Sequence, residues 1–169
     1  QTVLINWGQD PEAVNVTESQ DVKGYKFEGY NVYQMPSAGA TKDQGKLIAT
    51  YDVINEVTVI LDRVFDQESG QVLSKPVQLG TNSGIKRSIL LTEDALNGGP
   101  FLNGTPYYFG VTAYNNNPDP NVPIHSLEST LSIKQVVPQT ADPGVKYPYE
   151  TEEDLEVSHE GPSDGSVSV

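Results

Sequence analysis

The sequence predicts an all-β fold, a two-layer sandwich of about seven short strands. Three observations predict it. Short runs alternate apolar and polar residues between turn signals, as in Val3-x-Ile5-x-Trp7 and Tyr107-x-Phe109-x-Val111-x-Ala113. The 169 residues include 15 Gly and 12 Pro, which supply many turns. Nine Tyr against one Met favour strands over packed helices. A hydrophobic share of 36% and a mean hydropathy of -0.41 fit a sandwich with solvated outer faces better than a doubly wound α/β core.

Taken in order, the first element is the strand Val3–Trp7, with Val3, Ile5 and Trp7 on one face. Gly8 to Lys23 contains Asp10-Pro11 and few large apolar residues, and reads as a loop. Tyr25–Gln34 is the next strand. Tyr30 and Val32 share a face with Phe27 out of phase, so a bulge at Glu28-Gly29 is expected to restore it. Lys46–Asp52 and Val57–Asp62 are two further strands. Residues 63–87 are punctuated by Gly70, Pro76, Gly80 and Gly84, and read as an insertion carrying a hairpin or long loop. Ser88–Leu91 resumes strand character. Thr92–Leu96 reads as one helical turn capped by Thr92. Tyr107–Tyr114 is the clearest strand, and Ser129–Val137 is the last of the sandwich. The domain therefore spans 1–138. Residues 139–169 form an acidic C-terminal tail, with Lys146 alone against Glu150, Glu152, Glu153, Asp154, Glu156 and other acids. Its composition is that of a linker or disordered tail.

The net charge is -13 and the pI about 4.3, so the basic footprint of a nucleic-acid binder is absent and attraction to anionic membranes is not expected. No apolar run approaches the roughly 18 residues of a membrane span. There are no cysteines, which removes thiolate chemistry and Cys-based zinc sites. No signal peptide is visible, and a start at Gln1 is expected of a processed form or a fragment.

Three stretches resemble a fibronectin type III domain. Val3-x-Ile5-x-Trp7 resembles its strand B with the core Trp. Phe27-x-x-Tyr30-x-Val32 resembles strand C. Gly104-Thr105-Pro106-Tyr107-x-Phe109-x-Val111-x-Ala113-x-Asn115 resembles the turn and strand F. The resemblance implies a fibronectin type III/immunoglobulin-like sandwich over 1–138, with Tyr107 as the corner tyrosine whose hydroxyl bonds back to the preceding loop. The wording YKFEGYNVY, KLIATYD, YYFGVTAYN and SLES also resembles modules of large secreted Bacteroidetes-like bacterial surface proteins. The family has a strand A before its Trp strand. Here the Trp strand begins at the third residue, so strand A is missing at the N-terminus. A sandwich without that edge strand exposes backbone donors and an apolar groove. The tail offers two alternating segments to fill it, with Leu155 and Val157 in one and Val167 and Val169 in the other. The donor is either the same chain or a neighbouring copy, and the second case joins copies head to tail.

No catalytic constellation stands out, and no enzyme is expected. His125 and His159 lie in a loop and in the tail, without partners at defined spacing. Calcium is the ion that the oxygens of Asp62, Asp66 and Glu68 would suit, or those of Asn117, Asp119 and Asn121 in the loop after strand F. Neither stretch has the twelve-residue EF-hand pattern, and turn chemistry is the competing reading of both. The same Asn117–Asn121 loop is a candidate binding loop. Asn15-Val16-Thr17 and Asn103-Gly104-Thr105 match the glycosylation acceptor pattern. Tyr30, Tyr33, Tyr108 and Tyr114 would make an aromatic binding surface if they faced solvent, and cross-strand pairs if they did not. The expected function is structural: a module of an extracellular surface protein or filament, in contact with copies of itself or with neighbouring modules. The competing function is an accessory carbohydrate- or ligand-binding module of a larger secreted protein.

Overall fold

A computed structural model describes residues 1–139. The candidate donor residues Leu155, Val157, Val167 and Val169 lie outside the described residues.

The elements are β1 (Val3–Asn6), α1 (Pro11–Glu18), β2 (Asp21–Val22), β3 (Tyr25–Met35), β4 (Lys46–Asp52), β5 (Val59–Asp66), β6 (Gln71–Leu79), β7 (Ser88–Leu91), β8 (Tyr107–Asn116) and β9 (Ser132–Val136), with a short 3-10 turn at Lys42–Gln44. All sheet pairings among the described residues are antiparallel, so this part of the chain is all-β with one short helix. The main sheet runs β4-β3-β8-β9, and β2 shares the β4 edge of β3. β1 and β7 form a two-stranded second layer, in register from Val3 opposite Leu91 to Asn6 opposite Ser88. β5 and β6 form a separate hairpin.

The register slips between Phe27 and Gly29, which is the bulge the out-of-phase Phe27 demands. Gly29 is required there, because a Cβ would lie 2.6 Å from the Tyr51 carbonyl oxygen. The bulge brings the Phe27 ring to 5.0 Å from that of Tyr30. Along β8, Tyr107 and Phe109 point into the core with Val3 and Phe101, and Ile5, Ile48, Leu91 and Val136 pack around them. The Tyr107 hydroxyl accepts from the Leu102 amide at 2.9 Å, tying the approach loop to the core. Gly104, in the turn that enters β8, holds φ at +73°, a conformation with little cost for glycine.

Four boundaries differ from the sequence reading. Gly8 to Lys23 is not a loop, because it contains α1 and β2. Asp10 is the N-cap, accepting from the Glu12 and Ala13 amides at 3.0 Å, and Pro11 begins the helix. The strand expected at Val57–Asp62 runs Val59–Asp66 and pairs only with β6, so it belongs to the inserted hairpin rather than to the sandwich. Thr92 caps nothing. Asp94 takes that role, accepting from the Leu96 amide at 2.9 Å and the Asn97 amide at 3.1 Å. The last strand starts at Ser132, and the stretch before it bonds to the upper half of β8 through Ser129 N–H to the Ala113 carbonyl at 2.8 Å.

Candidate functional site

The second layer, with two strands, is narrower than the five-stranded sheet beneath it. β1 bonds to β7 on one side only, and Trp7 N–H donates to the Arg87 carbonyl at 2.9 Å at the end of that ladder. Backbone direction alternates along a strand, so the amides and carbonyls of Leu4 and Asn6 point to the opposite edge. Among the described residues no strand pairs with that edge. Leu4, whose side chain faces away from the core, is 64% exposed.

Two cavities lie beside this edge. The lower, about 350 Å³, is lined by Leu4, Ile5, Phe109, Val111, Lys134 and Val136. The upper, about 470 Å³, is lined by Trp7, Val14, Thr17, Tyr30, Val111 and Ala113, among others. Trp7 and Val111 line both, so the two form one groove along the inner face of β8. The groove follows β8 from Phe109 to Asn115, roughly 20 Å at the rise of an antiparallel strand. That is the length of an ordinary strand.

The walls are built from sequence-local causes. Trp7 stacks on Tyr51 at 6.1 Å and meets Tyr30 edge-on at 5.8 Å. Its indole N–H is buried and has no hydrogen-bond partner among the described residues. Val14, Thr17 and Glu18 follow the helical i, i+3, i+4 spacing and form the half-buried side of α1. Glu18 fixes that wall. It accepts from Arg87 Nε at 2.9 Å and Nη2 at 2.7 Å, and from the Tyr30 hydroxyl at 3.0 Å. The Arg87 hydrogen bond holds the Glu18 carboxyl below its ordinary pKa, against the opposing effect of burial.

The opposite face of the main sheet is polar and covered. Asn31 and Gln78 exchange amide hydrogen bonds at 2.9 and 3.1 Å, which docks the hairpin on the sheet. The Glu128 carboxylate accepts from Asn31 at 3.3 Å and Tyr33 at 3.1 Å, and also from Thr112 and Lys42. Burial alone would push the Glu128 carboxyl up. The hydrogen bonds from Lys42 and Thr112, with the lysine's charge, outweigh it and hold the group below its ordinary value. Asp52, fully buried, accepts from Thr81 N–H at 2.8 Å and Ser83 N–H at 3.2 Å. No motif in the sequence marks Glu128, Glu18 or Arg87. Each is a single charge whose partners come from distant segments.

The residues singled out by sequence fall as follows. Trp7, Tyr30 and Val111 line the groove, and Val32, Tyr107 and Phe109 are buried. Asp62 and Asp66 lie four residues apart on β5, roughly 13 Å along the strand. Asp62 accepts from the His125 and Ser126 amides, and Asp66 from Ser69 and Lys75. Glu68 is exposed in the hairpin turn. This spacing separates the three residues grouped as a calcium candidate. Asn117 is buried, donates to the Lys23 carbonyl at 3.1 Å and accepts from the Asp119 amide at 3.0 Å. Asp119 accepts in turn from the Asn121 amide at 2.9 Å, so this loop is held by its own turn chemistry. Among the described residues no group of three or more His, Cys, Asp or Glu side chains is placed to hold a metal ion. The aromatic surface does not form, because Tyr30, Tyr33 and Tyr114 are buried. Nor do they pair with one another, since Tyr30 lies opposite Ala113, Tyr33 opposite Gly110 and Tyr114 opposite Gly29.

Compared with known proteins, the chain matches no family model, no curated protein and no solved structure. No helix among the described residues is long and apolar enough to cross a membrane.

Proposed function

We propose that the chain is a structural module, fibronectin type III-like, of an extracellular surface protein or filament, and that it joins neighbouring copies by β-strand addition at the outer edge of β1. One observation carries this reading: a strand-length apolar groove lies beside a strand edge that no other strand pairs with among the described residues. Main-chain hydrogen bonds to Leu4 and Asn6 would supply affinity, and alternate side chains entering the groove would supply specificity. The added strand would also cover Ile5 and Val136 and offer carbonyls near the orphan Trp7 indole. The competing reading, an accessory carbohydrate-binding module, lacks an exposed aromatic platform, since its candidate tyrosines are mostly buried.

Leu4→Pro tests the proposal. Proline removes the one outward donor at that position and is tolerated on an edge strand. The β1–β7 ladder keeps its bonds, which run through Val3, Ile5 and Trp7. By light scattering and negative stain the natural chain is expected to form head-to-tail oligomers, and the variant to stay monomeric with an unchanged melting curve. A natural chain that is monomeric at high concentration, or a variant that assembles equally well, overturns the reading.

A further inference from the structure

We infer that Lys134 selects the strand received at the β1 edge, and that this strand carries an inward-facing carboxylate at the level of Lys134, with an apolar side chain two residues to either side. The inference rests on the strand-addition reading above. The placement of Lys134 follows from register. It lies opposite Phe109 in the β8–β9 pairing, and directly opposed residues share a face of the sheet. Phe109 points into the core, so Lys134 starts from the inner face as well. Ser132 and Val136, two residues to either side, share that face, and all three line the lower cavity. Lys134 is the one charged side chain among the residues lining it. It is exposed, and it makes no ion pair among the described residues.

With the groove open, the Lys134 stem lies along apolar surface while its ammonium stays in water. A strand that fills the groove covers the cavity and takes that water away. A charge buried without a partner is strongly unfavourable, so the incoming strand must replace the water with a counter-charge. A carboxylate supplies both the acceptor and the charge. Inward positions on a strand recur every second residue, about 7 Å apart, which is also the spacing of Ser132, Lys134 and Val136. An acid at the level of Lys134 therefore places its apolar neighbours against Ile5 and Val136 on one side, and against Val111 and Trp7 on the other. An inward lysine on an edge strand has a competing role, which is to keep other strands away. The two roles predict opposite signs when the charge is removed.

Two synthetic peptides read the sign against the full chain. Acetyl-TVTETVT-amide and acetyl-TVTQTVT-amide have the same sequence in both directions, so strand polarity does not enter. Trp7 is the only tryptophan and lines the cavity, so its fluorescence follows binding. The natural chain is expected to bind the glutamate peptide about thirty-fold or more tighter than the glutamine peptide. The net charge of -13 repels the acidic peptide, so a preference for it is local in origin. Lys134→Met keeps an apolar stem and should abolish the preference, and Lys134→Glu should reverse it. Lys134 is exposed, and an unchanged melting curve checks that each variant folds. Equal binding of the two peptides by the natural chain overturns the inference and leaves strand addition standing. So does tighter binding of the glutamate peptide by Lys134→Met than by the natural chain, which would make Lys134 a guard of the edge. If neither peptide binds the natural chain, strand addition and the inference fall together.

Discussion

The two faces of the main sheet carry opposite chemistry and opposite degrees of closure. The outer face displays Asn31, Tyr33, Thr112 and Asp52, and is covered by the hairpin and by loops, Glu128 among them, that supply hydrogen bonds to it. The inner face displays Tyr107, Phe109, Val111 and Ala113, and β1 and β7 cover only part of it. The difference follows from the cost of desolvation. A buried polar group without a partner costs about 1–3 kcal/mol, so a polar face must be closed by matching groups from the same chain. An apolar face makes no such geometric demand, and any strand with the right alternation can close it. The open apolar face is therefore the one on which a partner has something to gain.

The largest effect is expected where the inner face is already closed. Phe109→Ala should destabilise by about 3–5 kcal/mol in denaturant titration, since Phe109 is fully buried against Phe101 and Val3. A cost below about 1 kcal/mol would mean that β1 and β7 are not packed on the sheet, and the comparison of faces would collapse. On the outer face, Glu128→Ala strands the Thr112 and Tyr33 hydroxyls and the Lys42 amine, and should cost about 2 kcal/mol. The double variant with Lys42→Met should lose less than the sum of the two single variants, because the pair acts as a unit. Additive losses would show that the outer face is not held by this carboxylate.

A smaller effect sharpens the boundary of the groove. Asp10→Ala removes two amide partners from α1 and should cost about 1 kcal/mol. Glu18, at the far end of the helix, keeps its bonds to Arg87 and Tyr30. Amide exchange in Glu12–Val14 should therefore accelerate while Glu18 stays protected. Acceleration through Glu18 as well would show that the cap, not the Arg87 pair, holds the upper wall.

How much was legible in the sequence follows the same division. The inner face is local: Tyr107, Phe109 and Val111 alternate within one strand, and so do Val3 and Ile5. Period-two reasoning finds them, and with them the all-β class. The outer face was not legible. Asn31, Gln78, Thr112 and Glu128 come from β3, β6, β8 and the loop before β9, and no spacing rule joins them. The helix was missed for another reason. Asp10-Pro11 is a cap followed by a first helical residue, but the eight residues of α1 contain no fully buried side chain, so no apolar stripe announces them.

The finest distinction lies between two carboxylates on opposite sides of their ordinary pKa. Glu28, buried at the bulge, is pushed up by desolvation and by the nearby Asp52 charge, against one hydrogen bond from Asn55 at 2.7 Å. Glu128 is held down. The signs follow from proton linkage. In the window above the ordinary carboxylate value, folded Glu28 holds protons that the unfolded chain has released, so its contribution to stability falls as pH rises through that raised value. Glu128 does the reverse, and its contribution is lost as pH falls through its lowered value. Glu28→Gln keeps an acceptor for Asn55 and removes the buried charge. At neutral pH it should stabilise by less than about 1 kcal/mol, and the gain should shrink as the pH is lowered toward the ordinary carboxylate range. Melting temperatures of the two proteins across that range read this directly. A gain that persists at low pH would mean that the glutamate's size, not its charge, is what strains the bulge.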